Sequence, residues 1–221
     1  MGSLTISLGR RGLGVLGIAS VAIILGCAAV TAIPYRGYAG ESYSPLNHFI
    51  SELGEIAASR LAWLFNLGLV TGGAGLAAFL FGISGALDGR LRRAFQAFAG
   101  LAGATGMMCG LYPMDYLTTH RVVSVGFFLT GWLVAATFSV WLARSRSAAF
   151  PRWLVVPGLG VVAVFVVFIA VYSTYHPANP DARILTRSDV WNVPLLEWAS
   201  LVSLLGWFVC VAATLFRHPT D

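Results

Sequence analysis

The chain has 221 residues, of which 57% are hydrophobic and only 10% charged, and its mean hydropathy is +0.79. A soluble domain carries about a quarter charged residues, so a soluble fold is excluded. The net charge of +5 comes from fourteen basic residues that are all Arg, scattered in twos and threes between apolar runs without a basic stripe, which argues against nucleic acid as a partner and for topology signals.

A helix needs about 20 apolar residues to cross the roughly 30 Å hydrocarbon layer. Six stretches qualify: Gly12 to Ile33, Leu61 to Leu87, Ala94 to Leu111, Val122 to Leu142, Trp153 to Tyr172 and Val193 to Phe216. The predicted fold is all-α, a polytopic bundle of six transmembrane helices forming one membrane domain over 1–221. Arg10 and Arg11 precede the first span, and Leu25-Gly26-Cys27 has a faint likeness to a lipoprotein cleavage site. The apolar run continues past Cys27 to Ile33, so an uncleaved span is expected.

Arg90, Arg92 and Arg93 occupy the second connection, Arg144, Arg146 and Arg152 the fourth, and Arg217 follows the last span. With Arg10 and Arg11 they mark a cytoplasmic side under the positive-inside rule, while the longer opposite loops hold five arginines and seven of the nine acids. Both termini are predicted to be cytoplasmic, in a plasma or inner membrane. Gly72, Gly73 and Gly75 in the second span, and Gly100, Gly103, Gly106 and Gly110 in the third, let helix backbones approach closely; packing within the chain is the favoured reading over dimerisation. The three cysteines lie far apart inside apolar runs, where they form neither a disulfide framework nor a zinc knuckle.

The first outer loop carries the most specific pattern. Tyr43 to Gly54 reads as a short amphipathic helix, with Ser44 as N-cap, Pro45 at the first helical position and Gly54 as terminator. Leu46, Phe49, Ile50 and Leu53 recur at helical spacing on one side, and His48, Ser51, Glu52 and Glu55 on the other. The polar stripe either lies in water at the membrane interface or turns inward over the mouth of the bundle. A second polar group follows the third span in Leu111-Tyr112-Pro113-Met114-Asp115, and His120 opens the fourth with Ser124 one turn below. Asp115 fits a turn or cap as well as a chemical role, and His120 an interfacial hydrogen bond. At the start of the sixth span Glu197 stands between Trp191 and Trp198 of the aromatic belt. Capping of the helix dipole accounts for it, as would a protonated carboxyl or an arginine partner facing the bundle.

The Y-S-P-L and I-S-E-L-G segments of Tyr43 to Gly54, the Gly-rich second span, and Leu111-Tyr112-Pro113-Met114-Asp115 followed by a His resemble the family called domain of unknown function 998, over nearly the whole chain. The resemblance implies a six-span bacterial or archaeal membrane protein without an established activity. In that family's pattern the helix after the Pro-x-Asp turn often carries two histidines; here Ser124 follows His120 at i+4, which weakens a metal-ligand reading of this helix. The I-S-E-L-G segment is also distantly similar to the damage-regulated autophagy modulator and fibroblast-growth-factor-receptor-activating protein group, which implies a lipid association.

Three functions compete. In the first, an outward-facing polar pocket binds a lipid head group or small membrane partner, with Arg121, Arg183 and Arg187 meeting phosphate bidentately and His176 beside them. In the second, a membrane-embedded lipid hydrolase or transferase draws catalytic groups from His48, Ser51, Glu52, Asp115, His120 and Glu197. Zinc is then the candidate cofactor, on His48, Glu52 and His120, although neither H-E-x-x-H nor a nucleophile elbow occurs. The third is a transporter, set back by spans that hold few polar groups beyond Asn66, Thr71, Thr105 and Thr130.

Overall fold

In a computed structural model, which describes residues 9–145, 147, 149–174 and 187–216, the apolar stretches form six α-helices. They are α1 (Arg10–Ala32), α2 (Ala62–Ile83), α3 (Gly89–Leu111), α4 (Leu117–Arg144), α5 (Val155–Ser173) and α6 (Asn192–Thr214). All six are long and apolar enough to cross a membrane, and the described residues contain no strand. Two helices start about a turn before their apolar stretch does. Helix α3 begins at Gly89, whose positive φ of 50° turns the chain, and runs through the exposed Arg90, Arg92 and Arg93. Helix α4 begins at Leu117 and already contains His120 and Arg121. Hydropathy marks where hydrocarbon starts, whereas the backbone stays helical into the interface.

The helices form a ring in chain order: each packs on the next, and α6 closes on α1. Small residues set the tightest seams. A Cβ on Gly72 would stand 2.5 Å from Ile24 Cγ1 of α1, and one on Gly110 would stand 2.6 Å from the Asn66 carbonyl oxygen of α2. Both glycine-rich faces are therefore used within the chain. One end of the ring carries Arg10, Arg11, Arg90, Arg92, Arg93, Arg144 and Arg152, and beside it Phe95, Phe138, Trp141, Phe150 and Trp207 pack in one aromatic cluster.

The opposite, acidic end is closed by the first connection, whose Tyr35, His48, Ile50, Leu53 and Ala58 are buried. This connection does hold a short helix, narrower than its amphipathic pattern implies. Residues 44–48 make one turn, with the Ser44 carbonyl accepting from the Asn47 and His48 amides; Phe49 is extended at ψ 145°; and a 3-10 helix follows over Ile50–Gly54. Two carboxylate partners, one local and one tertiary, explain the break. The Phe49 amide donates to Glu52 Oε1 at 2.8 Å and the Ile50 amide to Glu197 Oε2 at 2.7 Å, so neither is left for the i−4 carbonyl that a continuous helix would use. We refer to residues 33–61 as the cap.

Candidate functional site

The cap is anchored by a buried ion pair. Glu52 is 1% exposed, and Arg187, just ahead of α6, reaches it with both terminal nitrogens at 3.1 Å. Arg187 Nη2 also meets Glu41 Oε1 at 3.3 Å, and Nη1 donates to the Asn47 carbonyl at 3.1 Å. The Tyr35 hydroxyl donates to Glu52 Oε2 at 3.1 Å. A buried pair is tolerable only when its spare lone pairs and protons are met, and here they are. Burial, reinforced by the Glu52 charge, pushes the Tyr35 hydroxyl well above its usual range, so it stays a donor. Tyr43 is shifted the same way, mainly by burial; it takes the Trp198 indole N–H at 2.9 Å and donates to the Phe49 carbonyl at 3.0 Å.

His48, 1% exposed, packs between the Tyr35 and Tyr43 rings. Its Nδ1 lies 2.7 Å from Asn47 Oδ1, 3.2 Å from the Ser44 carbonyl oxygen and 3.3 Å from the Ser44 amide nitrogen, and Nε2 is 3.6 Å from Glu41 Oε1. Burial holds His48 below the ordinary imidazole range, with Arg187 adding to that and Glu52 opposing it. The unfolded chain takes up this proton near pH 6.5. The contribution of neutral His48 is thus complete above about pH 6.5 and is lost as pH falls below it. Glu41 is held below its ordinary value because backbone amides and Arg187 outweigh its partial burial, so its stabilisation is lost only in more acid solution, below about pH 4.5. Glu55 has the opposite sign, being raised by burial. The melting temperature of detergent-solubilised protein is expected to fall between pH 6.5 and 5, and His48→Gln, which keeps Glu41 and Glu55, should flatten that fall. An equal slope in both proteins would assign the acid sensitivity to other groups.

The second polar group surrounds a cleft of about 420 Å³ between α4, α5 and the cap. Asp115 Oδ2 accepts the Ile56 amide at 2.9 Å, fixing the turn that follows the cap helix. Glu55 Oε1 accepts the Tyr38 hydroxyl. Ser51 Oγ lies 3.3 Å from Met114 Sδ, and Ser124 Oγ lies 3.5 Å from Cys109 Sγ. His120 Nδ1 is 2.8 Å from the Tyr112 carbonyl, which can only accept, so Nδ1 bears a proton and, in the neutral ring, Nε2 keeps a lone pair. Glu197 is held by the Ile50 amide, not by an arginine. A second, almost wholly apolar chamber of about 110 Å³ lies inside the ring. Ser51, His120, Ser124, Phe128 and Glu197 line both spaces.

The residues singled out from sequence therefore fall into two sets. His48, Glu52 and Arg187 lie in the cap anchor; Ser51, Asp115, His120, Arg121 and Glu197 line the cleft. His176 and Arg183 lie outside the described residues. The zinc set of His48, Glu52 and His120 is not assembled, and no three His, Cys, Asp or Glu side chains among the described residues are grouped to hold a metal. The reason is local: the Glu52 oxygens are committed to Arg187, Tyr35 and Phe49, and His120 belongs to the cleft. Arg187 is likewise held by carboxylates, and Arg121 is the guanidinium that lines the cleft. Sequence reasoning missed Tyr35, Tyr38, Tyr43 and Glu41. Three tyrosines in nine residues next to an acidic loop were the available signal.

Six hydrocarbon-length helices in a closed ring, with a polar cap over one end, define a polytopic membrane protein whose surroundings are a lipid bilayer. The family model described as protein of unknown function (DUF998) matches residues 21–214, and the chain belongs to that family. No curated protein and no solved structure matches it.

Proposed function

We propose that this protein binds a membrane amphiphile, with the head group among the polar residues of the cleft and an acyl chain running along α4 and α5. One observation carries the reading: four polar residues shared by the two spaces, Ser51, His120, Ser124 and Glu197, form a junction between an apolar chamber and a cleft on the α4 and α5 side. Ligand sites of this kind are mostly apolar with a few convergent polar groups. Val125 and Leu129, 40% and 49% exposed, lie on α4 where the cleft meets the lipid-facing surface. An acyl chain leaving there would remain in hydrocarbon. The arginine-rich end is assigned to the cytoplasm, which puts the cleft at the outer leaflet of a plasma or inner membrane.

Val125→Trp, which fills the cleft from its rim, is expected to abolish co-purification of lipid seen by native mass spectrometry, without lowering the melting temperature. Unchanged lipid retention in a folded Val125→Trp protein would overturn the reading. A hydrolase or transferase acting on the same lipid is the second reading, favoured by the His120 Nε2 lone pair at the junction beside Ser51 and Ser124. Cleaved lipid in the same spectra, absent from His120→Asn, would decide for it.

A further inference from the structure

The head group that the cleft accepts follows from one orphaned atom. Glu55 is 8% exposed and its Oε1 is met by Tyr38, but its Oε2 is buried without a hydrogen-bond partner among the described residues. Few buried carboxylate oxygens in folded proteins lack a donor, because the desolvation cost is then uncompensated. Glu197, 7% exposed, has a described partner on Oε2 alone. With Asp115, three carboxylates among the described residues line the cleft against one described guanidinium, the exposed Arg121. An anionic head group would meet that balance unfavourably. Phe49 and Trp191, edge to face at 5.2 Å, add aromatic wall to the same space.

We infer that the cleft recognises an ammonium-bearing lipid head group, with the Glu55 carboxylate as its counter-ion and Glu197 as a second acceptor. The inference rests on the lipid-binding reading above and names the class of ligand. A protonated amine supplies the donor that Glu55 Oε2 lacks, in a charge-assisted bond. The aromatic wall favours the same charge, since a cation is drawn to ring faces. Where the head group is zwitterionic, its phosphate falls to Arg121 at the exposed rim. Burial, with Asp115 and Glu52 nearby and the Tyr38 bond opposing, holds Glu55 above the usual carboxylate range.

The test titrates the full-length protein in detergent with phosphatidylethanolamine, phosphatidylcholine and phosphatidylglycerol of matched acyl chains, read by native mass spectrometry. Phosphatidylethanolamine is expected to bind at least about ten-fold more tightly than phosphatidylglycerol, and Glu55→Gln to remove that preference by weakening phosphatidylethanolamine, with phosphatidylglycerol bound no more weakly than before. Phosphatidylcholine equal to phosphatidylethanolamine would assign recognition to charge and aromatic wall; a much weaker phosphatidylcholine would assign it to N–H donation. Both support the ammonium. Phosphatidylglycerol bound as tightly, or a preference that survives in Glu55→Gln and Glu197→Gln, would overturn the head-group assignment. If Val125→Trp still abolishes binding, the cleft reading stands without the assignment. Insensitivity of every lipid to Val125→Trp would sink the cleft itself. Gln keeps a carbonyl acceptor at each position, and an unshifted melting temperature separates lost binding from lost folding.

Discussion

Arg187→Ala is expected to destabilise the protein by about 3 to 5 kcal/mol, because it strands a buried carboxylate. Glu52 would keep the Tyr35 hydroxyl and the Phe49 amide but lose the guanidinium that meets both of its oxygens, and Glu41 would lose one of its partners in the same step. Desolvation explains the size, since an exposed pair contributes about 1 kcal/mol or less. Arg187→Lys should recover only part of the loss: one ammonium cannot present the two-nitrogen fork that Glu52 accepts. Neutralising the stranded acid should recover more, so Arg187→Ala with Glu52→Gln is expected to be more stable than Arg187→Ala alone. Unfolding in a detergent series, followed by tryptophan fluorescence, would measure all four proteins. A single-variant loss below about 1 kcal/mol would mean that the pair is solvated and the cap is held by its apolar residues. The anchor also bears on the cleft. Four residues after Arg187, the Trp191 amide bonds the Leu46 carbonyl at 2.9 Å and its ring meets Phe49. Loosening the pair therefore moves a wall of the proposed site.

The spans were legible because a membrane imposes one length and one composition on every helix that crosses it. The starts of α3 and α4 were not, since Arg90, Arg92, Arg93 and Arg121 end the apolar run without ending the helix. In the cap the residues were legible and their conformation was not. The spacing of His48, Glu52 and Glu55 marked a polar stripe, and His48, Glu52 and Glu55 are all buried. The break at Phe49 depends on Glu52, three residues on, and on Glu197, well over a hundred residues away, and local propensity carries no trace of the second. Glu197 shows the same limit. Its depth and flanking tryptophans pointed to the bundle interior, but its partner is a backbone amide, and amides are alike in any sequence. The phosphate role expected for Arg187 gave way to carboxylates for a related reason, as charge alone does not tell a ligand from a neighbour.

Phe138→Ala should cost about 3 kcal/mol, and the source of that loss is packing. The ring is fully buried, edge to face with Trp141, Phe150 and Trp207 at centroid distances of 5.3, 5.2 and 5.5 Å. In a soluble core, part of the penalty for losing such a ring is forfeited transfer out of water. A membrane-spanning helix that separates from its neighbours meets lipid instead, so that part is nearly absent. What remains is dispersion across a densely packed cluster and the cavity left behind. The control is Val156→Ala on α5, 73% exposed on the lipid-facing surface, where the expected change is close to zero. Equal losses in the two variants would show that the aromatic cluster does not hold α4 against α6. Phe138 lies at the arginine-rich end and the cleft at the other, so Phe138→Ala, assayed well below its melting temperature, should retain lipid as the unmodified protein does. That separates it from Arg187→Ala, in which stability and lipid retention should fall together.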